Sequence, residues 1–407
     1  VKPQLVCEIQ FTEWTKDGQM RHPVFLGLRE DKPAKDVGFE VEETANKASK
    51  QAEDNLKVPT QSETTSPASK KTKKGTVKNP KKKKAITTEK ASDGESMIKK
   101  NRKGGIDKKI KVNGNTLQLT NLNKVFWPEE GYTKGDLIEY YQKIAKYILP
   151  YLKDRPESMN RHPNGIDGEN FFQKNINYVL PEWVKTFEVP SGSKGSINYL
   201  VCQNKATLMY MANLGCIEIN PWSSRINSLD YPDYLIIDLD PLNVDFEVVI
   251  EAALMVKEVL DQAKIPGFPK TSGSKGMHIL VPLGAKYTYE ECKQFAHIIV
   301  KAVQKRLPKT TSLERSPKKR PNKLYLDYLQ NNHGQTIAVA YCVRPRKGAT
   351  ISTPLEWSEV KKGLHPSQFT MKNIFERLEQ KGDLMKGLLK HKGIDMEKAL
   401  ESLAGLI

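Results

Sequence analysis

The run Tyr234-Leu-Ile-Ile-Asp238-Leu-Asp240-Pro241 decides how this chain is interpreted. Its apolar residues predict a short buried strand over residues 234–239. Side chains two apart on a strand project from one face, so Asp238 and Asp240 are expected side by side where the strand ends. Two such carboxylates repel each other unless a cation bridges them, and Mg²⁺ or Mn²⁺ is the natural partner. The alternative is a strand-end turn whose acids are solvated or cap the next helix.

A third acid, Asp327, interrupts a second apolar run, Lys323-Leu-Tyr-Leu-Asp-Tyr-Leu-Gln330. This run predicts another strand, over residues 323–329. Two strands that present three acids to one point favour a two-metal site. In such a site one ion activates an attacking hydroxyl, and the other holds phosphates and stabilises the leaving oxygen.

A Gly/Ser-rich loop, Thr271-Ser-Gly-Ser-Lys-Gly-Met-His278, lies between these two runs. Its backbone N–H groups and hydroxyls suit phosphate oxygens, and Lys275 adds a positive charge. The loop lacks the GxxxxGK[ST] spacing of a Walker motif, and an ordinary Gly-rich turn is the alternative. His278 begins the next strand, where it is either a donor to a phosphate or a buried structural imidazole.

Cationic residues accumulate around Asp327. They are Arg315, Lys318, Lys319, Arg320, Lys323, Arg344 and Arg346. Some suit a bidentate clamp on a triphosphate, and a solvated face is the alternative for the others. The tandem aromatics Phe171 and Phe172 suit stacking on a base if they are exposed, and core packing is their alternative.

The spacing of apolar residues gives a coarse map of the rest of the chain. It predicts helices over residues 136–152, 246–264 and 290–306 and a strand over residues 279–282. Helices interleaved with short strands predict a mixed α/β domain over residues 111–407, of which residues 379–407 look helical and have no assigned function. Residues 1–35 show strand patterns but are too few to bury a core. A start at Val1 rather than Met agrees with a fragment of something larger.

Residues 36–110 have the composition of a disordered linker, rich in Lys, Glu, Ser, Thr and Pro. Nine lysines and no acid lie between Lys70 and Lys84, which suits either a solvated tether or non-specific contact with DNA. The segment holds 19 Lys and Arg against 11 Asp and Glu, so it supplies +8 of the net charge of +17. A charge of this sign and size favours a polyanionic partner such as nucleic acid.

Composition also excludes several classes of protein. No apolar stretch approaches the roughly 18 residues that a membrane span needs, and the N-terminus lacks a signal-peptide pattern, so we expect no membrane partner and an intracellular location. The five cysteines lack CxxC spacing and are expected to be structural thiols in a reducing compartment. They are Cys7, Cys202, Cys216, Cys292 and Cys342.

In this order, the motifs DLDP, TSGSKGMH and YLDYLQNN resemble the polymerase domain of bacterial DNA ligase D, which belongs to the archaeo-eukaryotic primase superfamily. The resemblance runs from about residue 117 to residue 378. It includes Leu119-Thr-Asn-Leu-Asn-Lys-Val-Phe-Trp-Pro128, Arg161-His-Pro-Asn-Gly165 and Phe171-Phe-Gln-Lys174. It implies a primase-polymerase fold, an α/β (α+β) architecture built around an RRM-like central sheet.

The first residues resemble another part of the same family. Residues 8–32 look like the end of the OB-fold in the ATP-dependent ligase module. Lys16-Asp17-Gly18 lacks the intervening residue of the KxDG motif that carries the adenylated lysine of a ligase. We therefore expect no ligation by this chain alone.

The resemblance implies a nucleotidyltransferase that fills gaps and extends DNA ends in bacterial non-homologous end joining and accepts ribonucleotides. The implied substrates are NTPs, ATP among them, and dNTPs. The implied partners are double-stranded DNA ends with a 5′-phosphate, Ku and the ligase module of the same parent protein. The implied location is the bacterial cytoplasm, in association with the nucleoid.

The resemblance also implies roles for single residues. Asp238, Asp240 and Asp327 would be the catalytic acids and would hold two metal ions, Mn²⁺ by preference or Mg²⁺. The positions that match nucleotide-binding residues are Ser272, Lys275, His278, Arg320, Gln330 and Arg344. The positions that match 5′-phosphate-binding residues are Asn121, Lys124 and Lys134. Phe171 and Phe172 match aromatics that stack at the template or downstream duplex.

One position departs from the family pattern. Where many relatives have a His, this chain has Asn220, in the run Ile217-Glu-Ile-Asn-Pro-Trp222. Asn220 still forms hydrogen bonds and is kept as a nucleotide-binding candidate, but it cannot be protonated. Nucleotide affinity or ribose preference is therefore expected to differ.

Two other functions are compatible with the residues. One is a non-catalytic module that binds DNA ends and tethers repair partners, which predicts no metal dependence. The other is a nuclease or phosphoesterase with the same metals. Such sites usually add His ligands to the carboxylates.

Overall fold

The computed structural model of the chain describes four short strands within the first 29 residues, and residues 97–406 apart from 102–103 and 192–194. The chain divides into two units, residues 1–86 and 87–407. Residues 36–96 of the linker predicted over residues 36–110 lie outside the described residues, as does the side chain of Cys7.

The strands of the first unit form two antiparallel pairs. These strands are β1 (Val6–Gln10), β2 (Glu13–Trp14), β3 (Met20–Arg21) and β4 (Val24–Arg29). Strand β1 pairs with β4, and β2 pairs with β3. Strand patterns were predicted within residues 1–35, and these four strands confirm that strands are present there.

The second unit contains fifteen strands and six α-helices among its described residues. The strands are β5 (Met97–Lys100), β6 (Ile106–Val112), β7 (Asn115–Leu119), β8 (Val125–Trp127), β9 (Tyr132–Thr133), β10 (Pro156–Arg161), β11 (Phe171–Gln173), β12 (Lys185–Pro190), β13 (Ser196–Val201), β14 (Cys216–Pro221), β15 (Tyr234–Asp240), β16 (Phe268–Thr271), β17 (Met277–Pro282), β18 (Thr311–Ser312) and β19 (Leu324–Asp327). The helices are α1 (Lys134–Leu152), α2 (Lys205–Asn213), α3 (Phe246–Gln262), α4 (Tyr289–Arg306), α5 (Ile374–Lys381) and α6 (Met396–Leu403). The three helices that periodicity predicts correspond to α1, α3 and α4.

The predicted boundary between linker and domain is too late in the chain. Strands β5 and β6 form an antiparallel sheet with β7, so described strand structure begins at Met97 rather than after residue 110. Strand β6 turns Lys109 and Lys111 to solvent while Ile110 and Val112 are partly or fully buried. Its lysines make it resemble the preceding Lys-rich segment in composition, although its alternation is that of a strand.

A five-stranded sheet in the order β16-β17-β15-β19-β18 lies at the centre of the domain. Along its middle strand β15, Leu235, Ile237 and Leu239 face a core that also contains the apolar sides of α3 and α4. The intervening residues, among them Asp238 and Asp240, face the opposite way because side chains alternate along a strand. The sheet thus covers one face with helices and presents its acids on the other.

A second sheet contains β10 paired with β11, β13 and β14, with β12 beyond β13. Its core includes the apolar face of α1, a helix that begins with a capping box between Thr133 and Asp136. The C-terminal residues pack into both cores, and Asp383 accepts hydrogen bonds from Tyr151 (2.8 Å) and Tyr341 (2.7 Å). Residues after 378 are therefore part of the folded domain.

Two negative findings concern the described part of the chain. None of its helices is long and apolar enough to cross a membrane. Cys202, Cys216, Cys292 and Cys342 are buried free thiols, as expected for structural cysteines.

Candidate functional site

The central sheet brings the three predicted acids together at one end of its strands β15 and β19. Asp238 on β15 lies directly opposite Asp327 on β19 and opposite His278 on β17. Asp240 lies two residues further along β15 and therefore projects from the same face. The three acids come together because β15 is hydrogen-bonded on both sides, so its end is held between the two neighbouring strands.

The environment of Asp238 disfavours its charged form. Burial raises the pKa of Asp238 to about 8, and repulsion from Asp327 and Asp240 acts in the same direction. Burial likewise raises the pKa of Asp240 and of Asp327. A cluster of carboxyl groups with these properties is the donor set that a hard divalent cation stabilises.

Three carboxyl groups on neighbouring strands are a suitable donor set for a divalent cation. Among the residues that the structure describes, however, no three His, Cys, Asp or Glu side chains form a ready-made group of metal ligands. The backbone therefore brings the acids together, and their carboxylate oxygens do not yet converge on one point. Their assignment as metal ligands stays a prediction.

The Gly/Ser-rich loop folds against the end of β15. Ser272 Oγ accepts hydrogen bonds from the backbone N–H groups of Ser274 (3.1 Å) and Gly276 (3.0 Å). A Cβ atom at Gly276 would lie 2.1 Å from the carbonyl oxygen of Leu239, so only glycine allows this close approach. The approach holds Lys275 beside the acids, where its charge acts to lower the pKa of Asp240.

The second sheet supplies the opposite wall of a cleft of about 500 Å³. Glu218 and Asn220 project from β14 into this cleft, and Nδ2 of Asn220 donates to the carbonyl oxygen of Ser158 (3.3 Å). Arg344 spans the two walls, because its Nε lies 3.0 Å from Oε2 of Glu218 and its Nη1 donates to the carbonyl oxygen of Ser272. Arg344 thus fixes the Gly/Ser-rich loop relative to the second sheet.

Two predicted nucleotide-binding residues lie at the margin of the cleft. Arg320 is buried, with Nη2 3.7 Å from Oδ2 of Asp240 and its guanidinium group over the ring of Tyr325. Gln330 donates to the carbonyl oxygen of Thr336 (2.9 Å), a residue that lines the cleft. Gln330 does not itself line the cleft, and this hydrogen bond to Thr336 links it to the cleft wall.

The residues predicted to bind a 5′-phosphate lie together near the start of α1. Lys134 is buried, and its Nζ donates to the carbonyl oxygen of Thr120 (2.7 Å), while its backbone N–H donates to the carbonyl oxygen of Lys124 (2.8 Å). Burial and the nearby charges of Lys124 and Arg161 lower the pKa of Lys134 to about 8. We call Lys124 and Lys134 the lysine cluster, and clustered cations at a helix N-terminus favour the binding of an anion. Asn121 precedes this cluster with φ of 54°, in the left-handed region.

Both predicted stacking aromatics are exposed, Phe171 by 46% and Phe172 by 60%. They lie on the edge strand β11, where successive side chains face opposite ways. Phe172 lines the cleft, whereas the ring of Phe171 lies 5.2 Å from the guanidinium carbon of Arg161. The alternative of core packing is therefore wrong for this pair, and their binding role stays a prediction.

Three residues of the site were missed by sequence reasoning. Glu218 lies on a strand whose residues are all buried, Lys270 is fully buried on β16, and Arg161 joins Phe171 to the lysine cluster. The available signal was a single charged residue inside each of two short apolar segments. A buried charge in such a place needs partners, which only the tertiary structure identifies.

Sequence comparisons agree with this architecture. The profile of the LigD primase-polymerase domain matches residues 133–385, and that of the C-terminal region of ATP-dependent DNA ligases matches residues 1–32. The bifunctional non-homologous end joining protein LigD of Bacillus subtilis is 36% identical over 268 residues, which is 65% of this chain and 43% of that protein. The multifunctional non-homologous end joining protein LigD of Pseudomonas aeruginosa is 28% identical over 381 residues, which is 93% of this chain and 39% of that protein.

A solved structure has the same fold. The polymerase domain of Mycobacterium tuberculosis ligase D, in complex with DNA, aligns with a TM-score of 0.64 and 27% identity over 67% of this chain and 98% of that domain. The expected fold is thereby confirmed. The chain spans less than half the length of the curated relatives named above. Because the first profile covers more than half of the chain, the chain belongs to the LigD primase-polymerase family.

Proposed function

We propose that this chain is a metal-dependent polymerase that fills gaps and extends DNA ends during bacterial non-homologous end joining. The carrying observation is the position of Asp238, which lies between Asp327 and His278 and shares a cleft with Lys275 of the Gly/Ser-rich loop. The similarity to a polymerase domain solved with DNA supports the same function. The ligase-like match at residues 1–32 and the names of the relatives support an association with a ligase module.

The proposed reaction joins the 3′-oxygen of a DNA primer to the α-phosphorus of a nucleoside triphosphate. The bond between that phosphorus and the bridging oxygen breaks, pyrophosphate leaves, and the hydroxyl proton passes to solvent. The chain's own contribution is to position the two reactants and to stabilise charge. Lys275 and Arg344 line the cleft, where they can neutralise phosphate charge.

Asp238, Asp240 and Asp327 would hold two Mn²⁺ or Mg²⁺ ions. Bound there, divalent cations would neutralise phosphate charge and lower the pKa of the attacking hydroxyl. The raised pKa of Asp238 implies that its carboxyl group releases a proton when a cation binds, so affinity for the cation should rise with pH up to about 8.

The lysine cluster is proposed to bind the 5′-phosphate on the far side of a gap. Its support is the close approach of Lys124 and Lys134 at the N-terminus of α1. Phe171 lies towards this cluster, and Phe172 towards the cleft, so one edge strand is proposed to contact DNA between the two sites. Ku is proposed as the partner that delivers the ends, on the strength of the family alone.

One assay separates this function from its alternatives. We expect a primed DNA with a 5′ overhang to be lengthened when it is incubated with this chain, Mn²⁺ and nucleotides, and to be unchanged when a chelator is present. Shortening of either strand would indicate a nuclease. Binding without any change in length, in either Mn²⁺ or Mg²⁺, would indicate a tethering module and would refute the polymerase.

The 5′-phosphate site predicts a preference among DNA ends. In Lys124→Met we expect the affinity for a gapped DNA with a 5′-phosphate to fall by about tenfold, equivalent to about 1.4 kcal/mol, to that for the same DNA with a 5′-hydroxyl. The reason is that Lys124 Nζ lies in contact with Pro163 and Asn164 beside the helix N-terminus, and a phosphate there loses a charged donor. Fluorescence anisotropy with the two DNAs measures the difference.

The control for this variant is Lys372→Met, which removes an exposed lysine from another part of the domain. It should lower the affinity for both DNAs equally and only slightly. If Lys124→Met weakened both DNAs to the same extent, Lys124 would act as a general cation and the assigned phosphate site would be wrong.

A further inference from the structure

Lys270 on β16 lies opposite His278 on β17, which in turn lies opposite Asp238 on β15, and Lys270 has no assigned role. Its side chain is 1% exposed and projects from β16. Three polar atoms surround its Nζ: Nδ1 of His278 at 2.6 Å, Oγ of Ser352 at 2.7 Å and the carbonyl oxygen of Ala338 at 2.9 Å. These three contacts match the three protons of an ammonium group.

The partners of Lys270 determine where the protons lie. A carbonyl oxygen only accepts, and the hydroxyl of Ser352 donates its own proton to the carbonyl oxygen of Thr271 (3.1 Å). An ammonium group has no lone pair, so it also donates to Nδ1 of His278. A ring nitrogen that accepts a hydrogen bond carries no proton, so the proton of a neutral His278 ring lies on Nε2.

The other ring nitrogen of His278 faces the candidate site. Its Nε2 lies 3.5 Å from Oδ1 of Asp238, on the cleft side of the ring. The two nitrogens of His278 therefore face different surroundings, with the buried lysine on one side and Asp238 on the other.

We propose that Lys270 is a positioning residue that fixes His278 as a neutral hydrogen-bond donor, with its Nε2–H directed to the cleft. In this state His278 cannot accept a proton at Nε2 or ligate a metal ion, since Nε2 is protonated and Nδ1 is occupied. Its remaining role is to donate to an oxygen of Asp238 or of a bound phosphate. Donation by His278 to a bound phosphate rests on the proposed function, whereas the assignment of its tautomer does not.

The tautomer is measured directly on the full chain labelled with ¹⁵N and ¹³C at histidine. Burial lowers the pKa of Lys270 to about 7, so the spectrum is recorded below that pH, where the ammonium form predominates. We expect the His278 signals, identified by their loss in His278→Asn, to show protonation at Nε2 and not at Nδ1. In Lys270→Met, where the side chain keeps its length and loses its donors, we expect a mixture of the two tautomers. A wild-type ring protonated at Nδ1, or a ring unchanged in Lys270→Met, would overturn the proposal.

Kinetics test whether Lys270 acts through His278. We expect Lys270→Met to raise the KM for the nucleotide by about tenfold, the effect of one hydrogen bond to a charged group, with a smaller change in kcat. In a His278→Ala background the same substitution should change KM by less than about twofold, because the two residues act as one unit. Equal effects in both backgrounds would show that Lys270 acts directly through its charge and would contradict the proposal.

Controls keep the outcomes distinct. Lys301→Met removes an exposed lysine from α4 and should leave the KM and the His278 signals unchanged. If Lys270→Met does not fold, as judged by its melting curve, the wild-type spectrum alone decides the tautomer. If the wild-type chain fails to extend DNA, the proposed function is wrong, and the spectrum still decides the position of the His278 proton.

Discussion

Asp238→Asn is expected to lower the rate of nucleotide addition by about 1,000-fold or more, equivalent to about 4 kcal/mol of activation free energy. Asparagine keeps the size of the side chain and removes the charge that would hold a cation between Asp327 and Asp240. DNA affinity should change by less than about twofold, because the lysine cluster at α1 lies elsewhere in the domain. Primer extension and fluorescence anisotropy measure the two quantities.

The same variant is expected to be more stable than the wild type in the absence of metal. Folding raises the pKa of Asp238 from 3.8 to about 8, so the folded chain binds a proton that the unfolded chain releases. Wild-type stability is therefore lost progressively as the pH rises from about 4 to about 8, and the Asp238→Asn variant would not share this loss. With chelator present we expect a Tm advantage of about 2–4 °C at pH 8.5, which corresponds to about 1 kcal/mol, and a smaller one at pH 5.5.

Asp245→Asn is the matched control, because Asp245 precedes α3 and makes no capping hydrogen bond there. It should retain extension activity and show no pH-dependent gain in Tm. Extension by Asp238→Asn at a wild-type rate would eliminate Asp238 as a metal ligand. An equal loss of activity in both variants would indicate that residues 238–245 are generally sensitive to substitution.

Arg344→Met is expected to lower kcat/KM for the nucleotide by about 100-fold, or about 2.7 kcal/mol. Two effects combine. The Gly/Ser-rich loop loses the donor that holds the carbonyl oxygen of Ser272, and Glu218 loses the cation at 3.0 Å that balances its charge. A buried carboxylate without its partner would repel an incoming triphosphate. Steady-state kinetics with varied nucleotide give the ratio.

The partner residue provides the decisive comparison. Adding Glu218→Gln to Arg344→Met should recover about tenfold of the lost kcat/KM, because it removes the unpaired charge and leaves the loop unanchored. Arg346→Met is the control, since Arg346 also lines the cleft but is exposed. A loss in Arg346→Met as large as that in Arg344→Met would mean that total charge, rather than the link between the two walls, determines activity.

Strand β15 and its neighbours were predictable because their signals are local. The alternation in β15 places Asp238 and Asp240 on one face, and the apolar periodicity of α3 and α4 places these helices on the other face of the same sheet. The family motifs identified the same strands. What connects these elements, such as the pairing of Asp238 with both Asp327 and His278, follows from sheet topology, which local patterns do not specify.

The residues that sequence reasoning missed are those whose meaning depends on distant partners. Lys270 is one charge in a four-residue strand, and its contacts come from Ala338 and Ser352, far along the chain. Strand β6 was not predicted for another reason. Its lysines continue the composition of the preceding segment, whereas the burial of its side chains alternates. Composition averaged over many residues conceals an alternation that occupies only seven.

Strand β10 lies between the two proposed contacts with DNA. Its residue Arg161 contacts Phe171 on the side of the lysine cluster. The preceding residue, Asn160, lies opposite Phe172, which lines the cleft. Backbone hydrogen bonds to β11 and β14 hold Asn160 and Arg161 in register with their neighbours. A DNA end anchored by its 5′-phosphate would thus meet the nucleotide cleft at a fixed offset. We therefore expect the number of unpaired template bases between the two proposed sites to be the same for different DNA sequences.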